Sequence, residues 1–104
     1  MVVVVFRSRI RPEFADEFQA LADRMFALCQ TMPGFRSYRV YSNDDGERVS
    51  IHEWDSAEHL RAWREHPEHR ESQRLGRERY YEEYTSYVAE TPRESRFTRE
   101  RVTA

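Results

Sequence analysis

The residues from Met32 to Trp63 restrict this chain more than any other stretch. They read Met32-Pro33-Gly34-Phe35, then two alternating runs, Phe35 to Ser42 and Glu47 to Trp54, joined by Asn43-Asp44-Asp45-Gly46. Period-two alternation puts successive side chains on opposite faces of a strand, and a short Gly-containing link between two such runs makes a hairpin. Pro33-Gly34 ends whatever helix precedes it, because Pro cannot continue the ladder and Gly tolerates the left-handed position past a helix end. Ser56 is a good N-cap for a second helix carrying Leu60 and Trp63. A helix stop, a hairpin and a capped helix, in that order, leave few folds open.

The flanks narrow the choice further. Val2 to Ile10 is rich in β-branched residues and reads as a buried strand. Pro12 suits the first turn of a helix, and Phe14, Phe18, Leu21, Ala22, Met25, Phe26, Cys29 and Met32 then recur at three- and four-residue steps as one apolar stripe. Pro67 should kink or restart the second helix, with His66 as the residue before the new turn. Tyr80 to Ala89 is the last strand. The order is βαββαβ, an α+β, ferredoxin-like arrangement with a four-stranded antiparallel sheet and two helices on one face.

Both faces of that sheet are apolar. On the first strand Val2, Val4 and Phe6 oppose Val3 and Val5; on the last, Tyr80, Tyr84 and Val88 oppose Tyr81, Tyr87 and Ala89. Two helices cover one face only. The other face would expose more apolar surface than a monomer tolerates, so the expected assembly is a homodimer paired sheet to sheet.

With 104 residues the chain is expected to be one domain, its core at about 2–90 and a loosely structured Arg/Glu-rich arm at about 90–104. Net charge is -2, which gives no general attraction to nucleic acid. All 17 basic residues are Arg, but they are scattered and interleaved with Glu. Cys29 is the single cysteine, so no intramolecular disulfide is possible, and it lies on the apolar stripe as a small buried thiol. Val2 to Phe6 is too short for a signal segment or a membrane span and has no basic stretch before it. The expected location is the cytoplasm, with no membrane partner.

The second helix carries the sharpest chemical signal. His59, His66 and His69, three of the four His residues, cluster around Trp63. On an unbroken helix His59, Trp63 and His66 share a side at steps of four and three. A pocket between this helix and the sheet would hold an aromatic ring against Trp63 with an imidazole ready to take a proton near neutral pH. The plainer reading makes Trp63 core and each His a half-exposed surface group. His66 and His69, with Glu65 or Glu68, fall short of the ligand sets of catalytic metals, and no metal is expected. His52 is in phase with Ser50 and Trp54, so it lines either the internal pocket or the dimer face. Tyr41 on the second strand and Tyr84 on the last offer polar tips on aromatic bodies, suited to a ligand pocket or to an interface.

The order of elements, with Gly76-Arg77 and the Tyr-rich last strand, resembles the antibiotic biosynthesis monooxygenase family of dimeric α+β barrels over roughly residues 2 to 97. That resemblance implies a cofactor-independent monooxygenase acting on a small aromatic, phenolic or quinol-like molecule. In such enzymes the bound phenol or anthrone is deprotonated and the carbanion itself reduces O₂. The family's second-helix Asn, Trp and Tyr are matched here by Trp63 alone, with His59 and His69 at the flanking positions. His59, Trp63, His66 and His69 are thus the candidate catalytic set, and His52, Trp54, Tyr41 and Tyr84 the candidate substrate contacts. A haem-degrading branch is the alternative. Its iron ligand is a His ten residues after the Trp, where this chain has Gln73, and its first-strand Asn is missing, Asn43 being the only Asn. A non-catalytic dimeric ligand-binding protein is the third possibility.

Overall fold

The computed structural model describes residues 1–100. Strand β1 (Val2–Ile10) leads through a short 3₁₀ turn at Pro12–Phe14 into helix α1 (Ala15–Cys29). The hairpin β2 (Phe35–Ser42) and β3 (Arg48–Trp54) follows, then α2 (Ala57–Glu65), α3 (Pro67–Leu75), a π-turn at Gly76–Tyr80, and β4 (Tyr81–Glu90). The four strands form one antiparallel sheet in the order β2-β3-β1-β4. The α+β, ferredoxin-like fold expected from the sequence is the fold observed. The arm after Glu90 has no helix or strand as far as residue 100, and its remainder lies outside the described residues. Among the described residues no helix is long and apolar enough to cross a membrane.

Local chemistry explains the joints. Gly34 adopts φ +82°, and a Cβ there would overlap the His59 ring, so the approach of this turn to α2 requires glycine. Ser56 Oγ accepts the backbone N–H of His59 at 3.2 Å, capping α2. Pro67 does not kink the helix but restarts it: His66 is extended at ψ 130°, and Pro67 opens α3. The second helix of the sequence reading is therefore two helices.

Register decides which side chains meet. Val4 stands between His52 on β3 and Val88 on β4, and His52 in turn pairs with Tyr38 on β2. These positions, with Val2, Phe6, Ser8, Ser50 and Trp54, face the helices. Val2, Val4, Met25, Cys29, Trp54, Leu60 and Trp63 form the core beneath α1 and α2. On β4 the sequence reading needs correction. Tyr80 belongs to the π-turn and is buried, and a bulge pairs Arg9 with Glu83 but Ile10 with Tyr81. The extra residue puts Tyr81 on the same face as Tyr84. The opposite face carries Val3, Val5, Val49 and Ile51, all half-buried, between exposed Tyr41 and Tyr87.

Candidate functional site

Beneath α2 and α3 the helix-facing side of the sheet opens into a cavity of about 240 Å³. Its floor is Val4, Phe6, Ser50 and His52; its walls are Tyr38 with Phe26, and Phe6 with Tyr81 and Tyr84; its roof is Trp63 and His69. The rings of Phe6 and Tyr84 stack at 5.0 Å, and Phe26 packs tilted on Tyr38 at 5.4 Å. Such a lining suits a flat apolar molecule with a few polar groups.

His52 is fixed by its strand neighbour. The indole Nε1–H of Trp54 donates to His52 Nδ1 at 2.7 Å. Trp54 is fully buried, so this bond is shielded from water. Burial, and secondarily the charge that His69 would carry, pushes the His52 pKa down to about 4. The ring is neutral at pH 7.

His69 comes from α3 and lies flat on Trp63, centroids 4.1 Å apart and planes within 13°. Its Nδ1 stands 3.2 Å from the Trp63 carbonyl oxygen, which can only accept, so Nδ1 carries the proton. Gln73 Nε2 is also 3.2 Å from that nitrogen, but with Nδ1 donating to Trp63 its amide N–H goes to the Arg64 carbonyl, also at 3.2 Å. Burial lowers the His69 pKa to about 4; the bond to Trp63 opposes this, and His66 and Arg64 add to it. Burial raises the Tyr81 phenol to about 12 and the Cys29 thiol to about 11, so neither is a base at neutral pH. Of the two neutral imidazoles, His52 has its Nδ1 lone pair engaged by the Trp54 N–H, which leaves His69 as the ring that can accept a proton.

The structure divides the eight candidate residues evenly. His52, Trp63, His69 and Tyr84 line the cavity. His59, His66, Trp54 and Tyr41 do not. His59 turns away toward the α1–β2 junction, its Nδ1 2.7 Å from Ser56 Oγ and its ring against Gly34. His66 Nδ1 accepts the backbone N–H of Glu68 at 3.2 Å, capping α3. His59 and Trp63 do lie four residues apart on α2, and the His66 ring stands 6.2 Å from Trp63, but the helix ends before His66 and neither His59 nor His66 reaches the cavity. Trp54 has no exposed surface and acts through His52. Tyr41 pairs with Val49 on the opposite face of the sheet. Trp63 is 3% exposed, with one face under His69 and Trp54 at 6.2 Å, so it supports the imidazole and has little ring left for a ligand.

Tyr38 and three Arg residues are among the cavity groups that escaped the sequence reading. Tyr38 was missed because the link between β2 and β3 is one residue longer than the four-residue turn expected, and that extra residue sets Tyr38 opposite His52. Arg48, Arg64 and Arg77 come from β3, α2 and the π-turn, and no sequence spacing links them. Together they leave a cavity wall with three Arg and no carboxylate among the described residues, in a chain of net charge -2. Among these residues no group of three His, Cys, Asp or Glu is placed to hold a metal ion.

Comparison with known proteins gives concordant matches. The family model of antibiotic biosynthesis monooxygenase matches residues 1–75. Uncharacterized protein YqjZ of Bacillus subtilis is 32% identical over 94 residues, covering 90% of this chain and 82% of that protein. Among solved structures, Rv0793 from Mycobacterium tuberculosis superposes with a TM-score of 0.80 at 26% identity, covering 91% of this chain and 98% of the other. SnoaB, a cofactor-independent oxygenase from Streptomyces nogalater, superposes with a TM-score of 0.75 at 20% identity, over 90% of this chain and 94% of the other.

Proposed function

The chain belongs to the antibiotic biosynthesis monooxygenase family, and we propose that it is a cofactor-independent monooxygenase for a small, flat phenolic or quinol-like molecule. The observation that carries this reading is His69, a neutral imidazole braced on Trp63 in an aromatic-walled cavity with no carboxylate. His69 takes the proton of the bound phenol or anthrone. The resulting carbanion passes electrons to O₂; the substrate loses two hydrogens and gains one oxygen atom, and the second oxygen leaves with those hydrogens as water. An imidazole of low pKa holds that proton only while an anion stands beside it, so proton transfer and charge formation are coupled. Arg48, Arg64 and Arg77 favour the anion. The likeness to SnoaB, a cofactor-independent oxygenase, supports the same reading.

The test is oxygen uptake with anthrone- or dihydroxynaphthalene-type substrates after chelator treatment. His69→Ala should lower the rate by about 10²–10⁴, the usual contribution of a general base. Uptake that survives both His69→Ala and His52→Ala would remove the imidazoles from the mechanism. Stoichiometric haem binding, seen as a sharp Soret band lost in His69→Ala, would replace this reading with a haem enzyme.

We also propose that the chain works as a homodimer. Val3, Val5, Val49 and Ile51 form a half-buried apolar strip on the face no helix covers, extended by Tyr41 and Tyr87, and a second copy of the same sheet matches it.

A further inference from the structure

We infer that the cavity offers its ligand one fixed hydrogen-bond donor, His52 Nε2–H, and one fixed acceptor, His69 Nε2, and so selects a flat molecule bearing both a hydroxyl group and a carbonyl oxygen conjugated with it. The inference takes its site from the proposed function but needs no oxygen chemistry.

The contacts assign the two rings opposite tautomers, His52 through an indole that can only donate and His69 through a carbonyl that can only accept, the Gln73 amide beside the same His69 nitrogen having the Arg64 carbonyl to bond instead. An indole N–H can only donate, so His52 Nδ1 receives the Trp54 hydrogen at 2.7 Å and the ring's own proton sits on Nε2. A carbonyl can only accept, so His69 Nδ1 donates to Trp63 at 3.2 Å and Nε2 keeps its lone pair. The opposite choice for His69 would accept a Gln73 N–H but face a nitrogen lone pair toward the Trp63 carbonyl oxygen, whereas the Gln73 amide keeps the Arg64 carbonyl as partner in either case. Among the described residues Ser8 Oγ is the one buried side-chain polar atom without a partner. The two Nε2 atoms, which have no protein partner either, are therefore not sealed in protein. Both rings line the cavity, and that is where these atoms are open.

A plain phenol satisfies the acceptor and leaves the His52 N–H unpaired; a plain ketone does the reverse. Only a molecule with both groups leaves neither polar atom unpaired in a desolvated space. In such a molecule the electrons freed when the hydroxyl proton moves to His69 flow through the conjugated system to the carbonyl oxygen. That oxygen is then the one held by His52. Trp54, which touches no ligand, is a positioning residue: it holds the His52 proton on the cavity side.

The full-length protein with ¹⁵N-labelled histidine tests this without a substrate. Long-range ¹H–¹⁵N correlation should show His52 as the Nε2–H form and His69 as the Nδ1–H form. In Trp54→Phe, His52 should become a mixture of tautomers while His69 stays unchanged. Binding is then measured with 6-hydroxy-1-tetralone, 1-tetralone and 5,6,7,8-tetrahydro-2-naphthol. The hydroxy-ketone should bind about tenfold tighter than either partial analogue, as expected for one added well-placed hydrogen bond. Its advantage over the naphthol should shrink in Trp54→Phe and vanish in His52→Phe, which serves alone if Trp54→Phe does not fold. His52 found as Nδ1–H, His69 found as Nε2–H, or equal affinity for the three probes would overturn the inference. Correct tautomers and probe ranking without oxygen uptake would support it while removing the proposed reaction.

Discussion

The two faces of the sheet are built from the same strands and are similarly apolar, yet they handle polarity in opposite ways. On the helix side, Val2, Val4 and Trp54 pack to near-complete burial, and the face then opens into a cavity that sets two neutral rings, His52 and His69, among three Arg side chains, with no carboxylate in its lining among the described residues. On the other side, Val3, Val5, Val49 and Ile51 give way, toward the hairpin end, to full charges held in pairs. There Arg7 bonds Glu47 at 3.0 Å and Arg9 bonds Asp45 at 2.9 Å. Neutral imidazoles beside Arg side chains that no cavity carboxylate balances suit chemistry on a developing anion; paired charges around an apolar strip suit association. Alternation thus assigns residues to faces, but the kind of polar group on each face tells what that face is for.

The contrast breaks most visibly at Trp63. The ring is 3% exposed and is the surface on which His69 rests. Trp63→Ala should cost roughly 3–5 kcal/mol, read as a shift of the urea midpoint at constant slope. It should also abolish ligand binding, since His69 loses its support. A loss of stability well below that range would mean the ring is a cavity wall more than a core element.

Acid should separate the two faces. In the unfolded chain a His binds a proton near pH 6.5, but in the folded protein His52 and His69 do so only near pH 4. Between those values the unfolded state holds more protons, so stability that is complete above pH 6.5 falls as pH drops toward 4. The loss is on the order of 3 kcal/mol for each ring. Asp45, held below its usual value by the Glu47 backbone N–H and by Arg9, keeps its charge through that window. Denaturation midpoints from pH 7 to pH 4 should therefore fall steeply in the native chain and much less in a His52→Phe/His69→Phe double variant. Equal slopes would place both rings in water.

How far the sequence reached follows from the range of each signal. Elements set by local chemistry were legible: the Pro33-Gly34 stop, the turn at 43–46, which the structure lengthens by Glu47, the Ser56 cap and the break at Pro67. The strand faces were legible on β1, where alternation is uninterrupted, and failed on β4, where one bulged residue moves Tyr81 beside Tyr84. The site was half legible. Helical spacing grouped His59 with His66, yet each is spent on capping: His66 at the head of α3, and His59 beside Ser56 at the start of α2. The break that Pro67 imposes reorients the second half of the cluster and brings His69 onto Trp63. That consequence is three-dimensional, and no period in the sequence carries it.

The uncovered face gives the next test. Light scattering at micromolar concentration should report about twice the chain mass of 12.6 kDa. Ile51→Arg puts an unpaired charge into the middle of the apolar strip while leaving the cavity side of β3 unchanged. It should yield monomer, with His52 and His69 in their native tautomers. A wild-type protein that is monomeric and soluble would show that this strip is not an interface.

The smallest expected effect is also the most discriminating, because it compares two tyrosines of similar exposure. Tyr41 is 57% exposed on β2 and Tyr84 is 42% exposed on β4, so accessibility alone would treat them alike. Register puts them on opposite faces: Tyr41 pairs with Val49, and Tyr84 pairs with Ser8 and stacks on Phe6 beside the cavity. Tyr84→Ala removes one aromatic wall and should weaken binding of 6-hydroxy-1-tetralone several-fold, the equivalent of roughly 0.5–1.5 kcal/mol for an aromatic contact. Tyr41→Ala should leave that affinity within about twofold, because surface changes away from the site are worth about 0.5 kcal/mol or less. Its effect belongs to the dimer, whose dissociation should become measurable at lower dilution. If instead Tyr41→Ala weakens the ligand as much as Tyr84→Ala while the dimer stays intact, the ligand lies on the outer face. The cavity beneath α2 and α3 would then be packing space and no longer the site.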